Sequence, residues 1–97
     1  MSTTPAALTL AAFAAHAGTD FTVDGLEGVS LHLSEAAPLD TAAPNDRQFS
    51  LMFRGPATPL LEQATHALAH PAMGPLAIFL VPVGRDAQGV HYQAIFN

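Results

Sequence analysis

Five histidines are the residues best equipped for chemistry in this chain, and His66 and His70 stand four apart. On a helix that spacing puts both rings on one face, where they could chelate a metal ion. On a strand they also share a face, but about 13 Å apart at ~3.3 Å per residue, too far for one ion. No third ligand sits at a recognisable spacing. The expectation is therefore solvent-facing or hydrogen-bonded structural histidines and no metal. Asp20, Asp24 and Glu27 flank an Asp24-Gly25 turn. They lack the ordered oxygen spacing of a calcium loop, so turn and capping roles are expected of them. Ser30, Ser34 and Ser50 lie on alternating, strand-like stretches, and none sits in a G-x-S-x-G elbow. Cysteine and lysine are absent, as are the glycine-rich phosphate cradles G-x-G-x-x-G and G-x-x-x-x-G-K. Taken together, these features predict no catalytic residues, no cofactor and no enzymatic activity.

Arg54 is singular for another reason. It ends a hydrophobic stretch and is one of three cations, with Arg47 and Arg85, against eight acids. Charged residues make up only 11 % of the chain, compared with about 25 % in an ordinary globular domain. The net charge of −5 argues against a nucleic-acid partner, whose phosphates need a basic surface. Charge scarcity has two readings. One is drift towards alanine at surface positions. The other is a surface covered by a partner or by copies of the chain, since interfaces are depleted in Lys, Glu and Asp. Under the first, Arg54 pairs with an acid of its own domain. Under the second it anchors a partner, because arginine is favoured at interface hot spots. Arg54, His66, His70 and Tyr92 are the candidate partner-binding residues.

The elements that must position these residues follow from periodicity. Thr4-Pro5, or alternatively Thr9, can cap a short helix whose face carries Leu10, Phe13, Ala14 and Ala17, with Gly18 ending it. After Gly18 the period changes to two. Phe21 and Val23 lead into the Asp24-Gly25 turn, and Val29, Leu31 and Leu33 alternate with Ser30, His32 and Ser34. Residues 36–47 hold Pro38, Pro44, Asn45 and Asp46 and read as a loop. Phe49, Leu51 and Phe53 alternate with Ser50, Met52 and Arg54 until Gly55-Pro56 stops the strand. Leu76 to Val83 is apolar on both faces, which predicts a strand covered on both sides, with Pro82 at a strand end or edge. Gly84 to Gly89 reads as a hairpin loop. Val90, Tyr92, Ala94 and Phe96 form the inner face of a last strand, whose pattern Ile95 breaks. Residues 60–70 favour helix by propensity, although they can also alternate as a strand.

Ninety-seven residues suit one domain, 1–97, able to bury roughly 60–65 % of its unfolded surface. The expected fold is mainly β: a small antiparallel barrel or sandwich of five to six strands with one short N-terminal helix. Ala6 to Ala15 is apolar and Ala15-His16-Ala17 is cleavage-site-like, but no Lys or Arg precedes Arg47. Without a basic n-region no signal peptide is expected, which makes the chain cytoplasmic at synthesis. The run Pro75 to Val83 is too short to span a membrane as a helix.

The layout resembles a domain-of-unknown-function family of short bacterial proteins of about a hundred residues. The resemblance is carried by Phe13, Gly18, Phe21 and Gln48-Phe49-Ser50-Leu51-Met52-Phe53-Arg54-Gly55-Pro56 in the first half. In the second half it is carried by His70-Pro71-Ala72-Met73-Gly74, Ile78-Phe79-Leu80-Val81-Pro82-Val83-Gly84 and Tyr92-Gln93-Ala94-Ile95-Phe96-Asn97. It implies no established activity. It implies at most an accessory or structural role near phage-tail-like, tail-collar (microcystin-dependent) proteins. It also implies a strand over about 63–69, against the propensity reading, although Ala64 to Ala69 depart from the family's aromatic and polar alternation.

The leading expectation is a non-enzymatic structural or protein-interaction module whose strand edges and uncharged surface dock onto copies of itself or a partner. The alternative is a small-ligand module with a pocket at the barrel mouth, lined by Phe53, Phe79, Tyr92 and histidines. A metal-dependent enzyme using His66 and His70 is the third.

Overall fold

The computed structural model describes residues 8–39, 42 and 46–96. The candidate cap Thr4-Pro5 and the loop residues Pro44 and Asn45 lie outside the described residues. A short helix α1 (Leu10–Ala14) comes first. Its N-cap is Thr9, whose hydroxyl accepts from the Ala12 N–H at 3.1 Å. The Asp46 carbonyl takes the Leu10 N–H at 2.8 Å and the Asp46 carboxylate takes that of Ala11 at 2.9 Å. Three of the N–H groups that a helix start leaves open are thus satisfied, two of them by Asp46, far along the chain. The helix is shorter than the apolar face suggested. Turns over residues 15–18 replace its last turn before Gly18 takes a positive φ of 87°.

Six strands follow: β1 (Asp20–Val23), β2 (Ser30–Pro38), β3 (Phe49–Gly55), β4 (Ala64–His70), β5 (Gly74–Asp86) and β6 (Gly89–Phe96). They lie in the order β1-β2-β3-β6-β5-β4, every neighbouring pair antiparallel, and β4 returns to pair with β1. The sheet closes on itself, so the architecture is a barrel rather than a sandwich. Closure gives each of the six strands two neighbours, so docking through a wholly free strand edge does not apply to this fold.

Residues 64–70 form a strand despite their helical propensity. Every residue from Ala64 to His70 pairs with β5, and Leu68 and Ala69 also pair with β1. Tertiary ladders override a local preference worth a few tenths of a kcal/mol per residue. β2 continues to Pro38, three residues into the expected loop, because Ala36, Ala37 and Pro38 pair with β3. Pro82 lies inside β5 rather than at its end. The ladder shifts register between Pro82 and Gly84, and a bulge is where a residue without an N–H is tolerated. The loop expected over Gly84 to Gly89 shrinks to a turn at residues 87–88.

Inward positions alternate into one core: Phe21, Leu31, Leu33, Phe49, Leu51, Phe53, Leu68, Ile78, Leu80, Val90, Tyr92 and Ala94 are buried. Phe13 of α1 plugs one end, its ring centroid 5.6 Å from Phe96, 5.8 Å from Phe49 and 6.4 Å from Phe21. Leu61, from the β3–β4 connection, packs into the core near Tyr92. Its N–H donates to the buried Tyr92 hydroxyl at 2.9 Å. A six-stranded barrel has little room inside, and here side chains occupy it. The outer face of β5 is open to solvent, contrary to the expectation of a strand covered on both sides. A single closed sheet has no second layer to lie over it.

Candidate functional site

The barrel's outer wall divides into two regions. The first is a charged row at one level of four adjacent strands. Asp20 on β1 pairs with His32 on β2, His32 with Arg54 on β3, and Arg54 with His91 on β6. Directly opposed side chains on one sheet face are neighbours, so register alone assembles the row. His32 Nδ1 donates to the Asp20 carboxylate at 2.9 Å. His91 Nε2 donates to Asp86, at the end of β5, at 2.8 Å. The Asp86 carboxylate also accepts the Gln88 N–H at 2.8 Å across the β5–β6 turn. These two hydrogen bonds, His91 foremost, hold the Asp86 carboxyl below its usual value, with Arg54 adding a smaller pull. Arg54 donates to the Gln88 side-chain carbonyl at 3.1 Å. Asp20, His32, Arg54 and Gln88 line a shallow depression of about 330 Å³.

The row contains two imidazole–carboxylate pairs. Among the described residues, no hydroxyl is hydrogen-bonded to either imidazole, as an activated serine or threonine would require. No group of three His, Asp or Glu among the described residues could hold a metal ion. A second, larger groove of about 650 Å³ runs beside the β1–β2 hairpin from Thr22 to Ser30. The acids Asp24 and Glu27 stand there on turn residues.

The second region is uncharged and carries exposed apolar side chains. Val81 on β5 pairs with Gln93 on β6, and carrying that register two residues on sets Phe79 opposite Ile95. Thr65 on β4 lies opposite Phe79, and Ser50 on β3 opposite Ile95. Ala67 and Ala77 pair one level along, and Met52 lies beside Gln93. None of these nine residues is charged. Phe79 is 49 % exposed, Ile95 47 % and Val83, further along β5, 50 %.

Of the candidate residues read from the sequence, Arg54 alone stands in the charged row. His66 points to the barrel's inner side near a rim, and its Nε2 donates to the Glu62 carbonyl at 2.7 Å. His66 and His70 lie on one strand face and make separate contacts. His70 is buried, 8 % exposed, in a hydrogen-bonded position below the barrel wall. Tyr92 is fully buried, and its hydroxyl is taken up by Leu61. The expectation that it contacts a partner is therefore corrected, because strand alternation turns it into the core. Phe53 is likewise core, while Phe79 faces outwards, so the aromatics proposed for a barrel-mouth pocket do not converge on one.

Sequence reasoning missed the pairs Asp20–His32 and Asp86–His91. Their partners are 12 and five positions apart, and only the strand register brings them together. It also noticed Ile95 only as a break in alternation. That break was the signal, since a large apolar residue at an outward position marks an exposed face.

Fold and surface define a small, closed, antiparallel six-stranded barrel with a filled interior, one end capped by a helix. A family model described as Domain of unknown function (DUF6916) matches residues 8–96, and the chain belongs to that family. Comparison with curated proteins and with solved structures returns no match.

Proposed function

We propose that this protein is a non-enzymatic interaction module that seats the outer face of β4, β5 and β6 against a protein surface. The surface is a second copy of the chain or a partner, in the role of an accessory to a phage-tail-like assembly. One observation carries the reading: Phe79 and Ile95, facing each other across β5 and β6 and each about half exposed, have the uncharged Thr65 and Ser50 as their other cross-strand neighbours, with Val83 half exposed further along β5. Contiguous exposed apolar surface is rare on monomers and marks interaction sites. Burying such side chains is worth roughly 25 cal/mol per Å² of apolar area. The scarcity of charge is concentrated on this wall, as an interface core requires. Because closure pairs the strands, recognition would run through side chains on the face rather than through backbone edge pairing.

The test is absolute mass by light scattering on untagged protein over a wide concentration range, alone and mixed with the products of neighbouring genes. Formation of a defined oligomer or a mixed complex is the expected outcome. A strict monomer that ignores those products would contradict the proposal.

A further inference from the structure

His70 is the one histidine in the buried set among the described residues, and the interaction surface makes no use of it. Its hydrogen bonds define its tautomer. Nδ1 faces two backbone N–H groups of the β4–β5 turn, those of Ala72 at 3.0 Å and Met73 at 3.4 Å. A nitrogen that accepts from two donors carries no proton of its own. The proton therefore sits on Nε2, which donates to the Thr19 hydroxyl at 3.0 Å. That hydroxyl in turn donates to the His16 carbonyl in the segment after α1. The ring packs on Phe21, centroids 4.6 Å apart, and on the His16 ring at the same distance. One neutral imidazole thus ties the β4–β5 turn to the connection between α1 and β1, next to the plug made by Phe13.

We propose that His70 is an acid-released latch for the α1 cap: neutral, it holds the cap on the barrel, and protonation at Nδ1 loosens it. A proton on Nδ1 would point at the Ala72 and Met73 N–H groups, replacing two accepted bonds with donor–donor repulsion. The elements packed on the ring are the α1–β1 connection, β1 and the β4–β5 turn. The only titratable side chain they present to it among the described residues is His16, and no carboxylate compensates a charge there. Asp20 of β1 is turned outwards, to His32. Burial first, and then His16, keep the ring below the ordinary imidazole value of 6.5.

The sign follows by linkage. Above about 6.5 both the closed and the released states hold a neutral ring, and the latch is fully effective. Below it the released state takes up a proton that the closed state refuses, so release becomes more favourable as pH falls. It does so by up to about tenfold per pH unit, until the closed state also titrates. Release would uncover the aromatic end formed by Phe13, Phe21, Phe49 and Phe96.

Amide hydrogen exchange at Phe13 and Ala15, corrected for intrinsic rates, measures release directly, because both N–H groups bond within or just after α1. Protection should be constant from pH 8 to 7 and fall several-fold between pH 6.5 and 5. His70→Asn, which keeps an acceptor for the turn and cannot titrate there, should lose this dependence, while His16→Gln should keep most of it. If His70→Asn fails to fold, ¹⁵N shifts of the wild-type ring at pH 7.5 still decide the premise. They should show Nε2 protonated and Nδ1 bare. A protonated Nδ1, protection that stays flat to pH 5, or an unchanged dependence in His70→Asn would each overturn the latch.

Discussion

At the scale of single residues, the interior tolerates little change, because its polar atoms and its close approaches are specific. Tyr92 fills the barrel with its ring and satisfies the Leu61 N–H with its hydroxyl. Tyr92→Phe keeps the ring and leaves that N–H unpaired. It should therefore cost about 1–3 kcal/mol, the penalty of a buried unsatisfied donor, read as a lower midpoint in chemical denaturation with the m-value unchanged. Gly55 is a second such point. A Cβ there would lie 2.7 Å from the Leu31 side chain and 3.2 Å from the Tyr92 ring. Gly55→Ala should destabilise by about 1–3 kcal/mol, as overpacking does, and a mild effect would mean that Leu31 moves aside freely. Gly89 is tighter still, with a positive φ of 126° and a would-be Cβ 2.0 Å from the Gly55 carbonyl oxygen. The Gly-Pro after Arg54 read as a strand stop in the sequence. That the Gly55 carbonyl also leaves no room for a side chain at Gly89 of β6 could not be read there, because the two residues are 34 positions apart. Asp86 gives a prediction about acid. Its carboxyl is held below its ordinary value, so its stabilising contribution is complete above about 3.8 and is lost as pH falls through its depressed value. The stability gap between wild type and Asp86→Asn should therefore narrow as pH drops below ~3.8. A gap constant down to pH 2 would show that the His91 and Gln88 bonds do not favour the charged form.

At the scale of elements, α1 is the least autonomous part of the fold. Five residues are too few to hold a helix in water, and what holds this one is Phe13 in the core together with the caps from Thr9 and Asp46. Asp46→Ala keeps the bond from the backbone carbonyl and removes the carboxylate. It should cost about 0.5–2 kcal/mol and raise amide exchange in α1 before anywhere else in the barrel. Exchange rising uniformly would mean that the cap and the barrel open as one unit. The strands themselves were largely legible. Alternation over residues 21–23, 30–33, 49–53 and 90–96 reports a half-buried wall with a period of two, and those residues do form strands of one. Three features were not legible for physical reasons. Residues 64–70 have helix-forming side chains and become a strand only because β5 and β1 lie on either side. The apolar run in β5 has the pattern of a buried strand, and nothing local says that its outer face is bare. Pro82 is acceptable within a strand only because of a bulge that depends on β6.

At the scale of the whole molecule, closure sorts the side chains. The charged row on β1, β2, β3 and β6 and the uncharged wall on β4, β5 and β6 are both products of register, since each gathers residues far apart in the chain. The scarcity of charge was visible in composition, but the location of the uncharged wall emerges only once the barrel is closed. Phe79→Ser with Ile95→Ser alters that wall without touching the core, because both side chains point outwards. The pair should leave the unfolding free energy within about 0.5 kcal/mol of wild type, as surface changes usually do. The measurement that bears most directly on the interaction-module account is the concentration dependence of absolute mass for wild type and this double variant, side by side. The account predicts that wild type rises to a defined oligomer, or takes up a partner, and that the variant stays a folded monomer which does neither. Equal masses for the two at every concentration and in every mixture would contradict it.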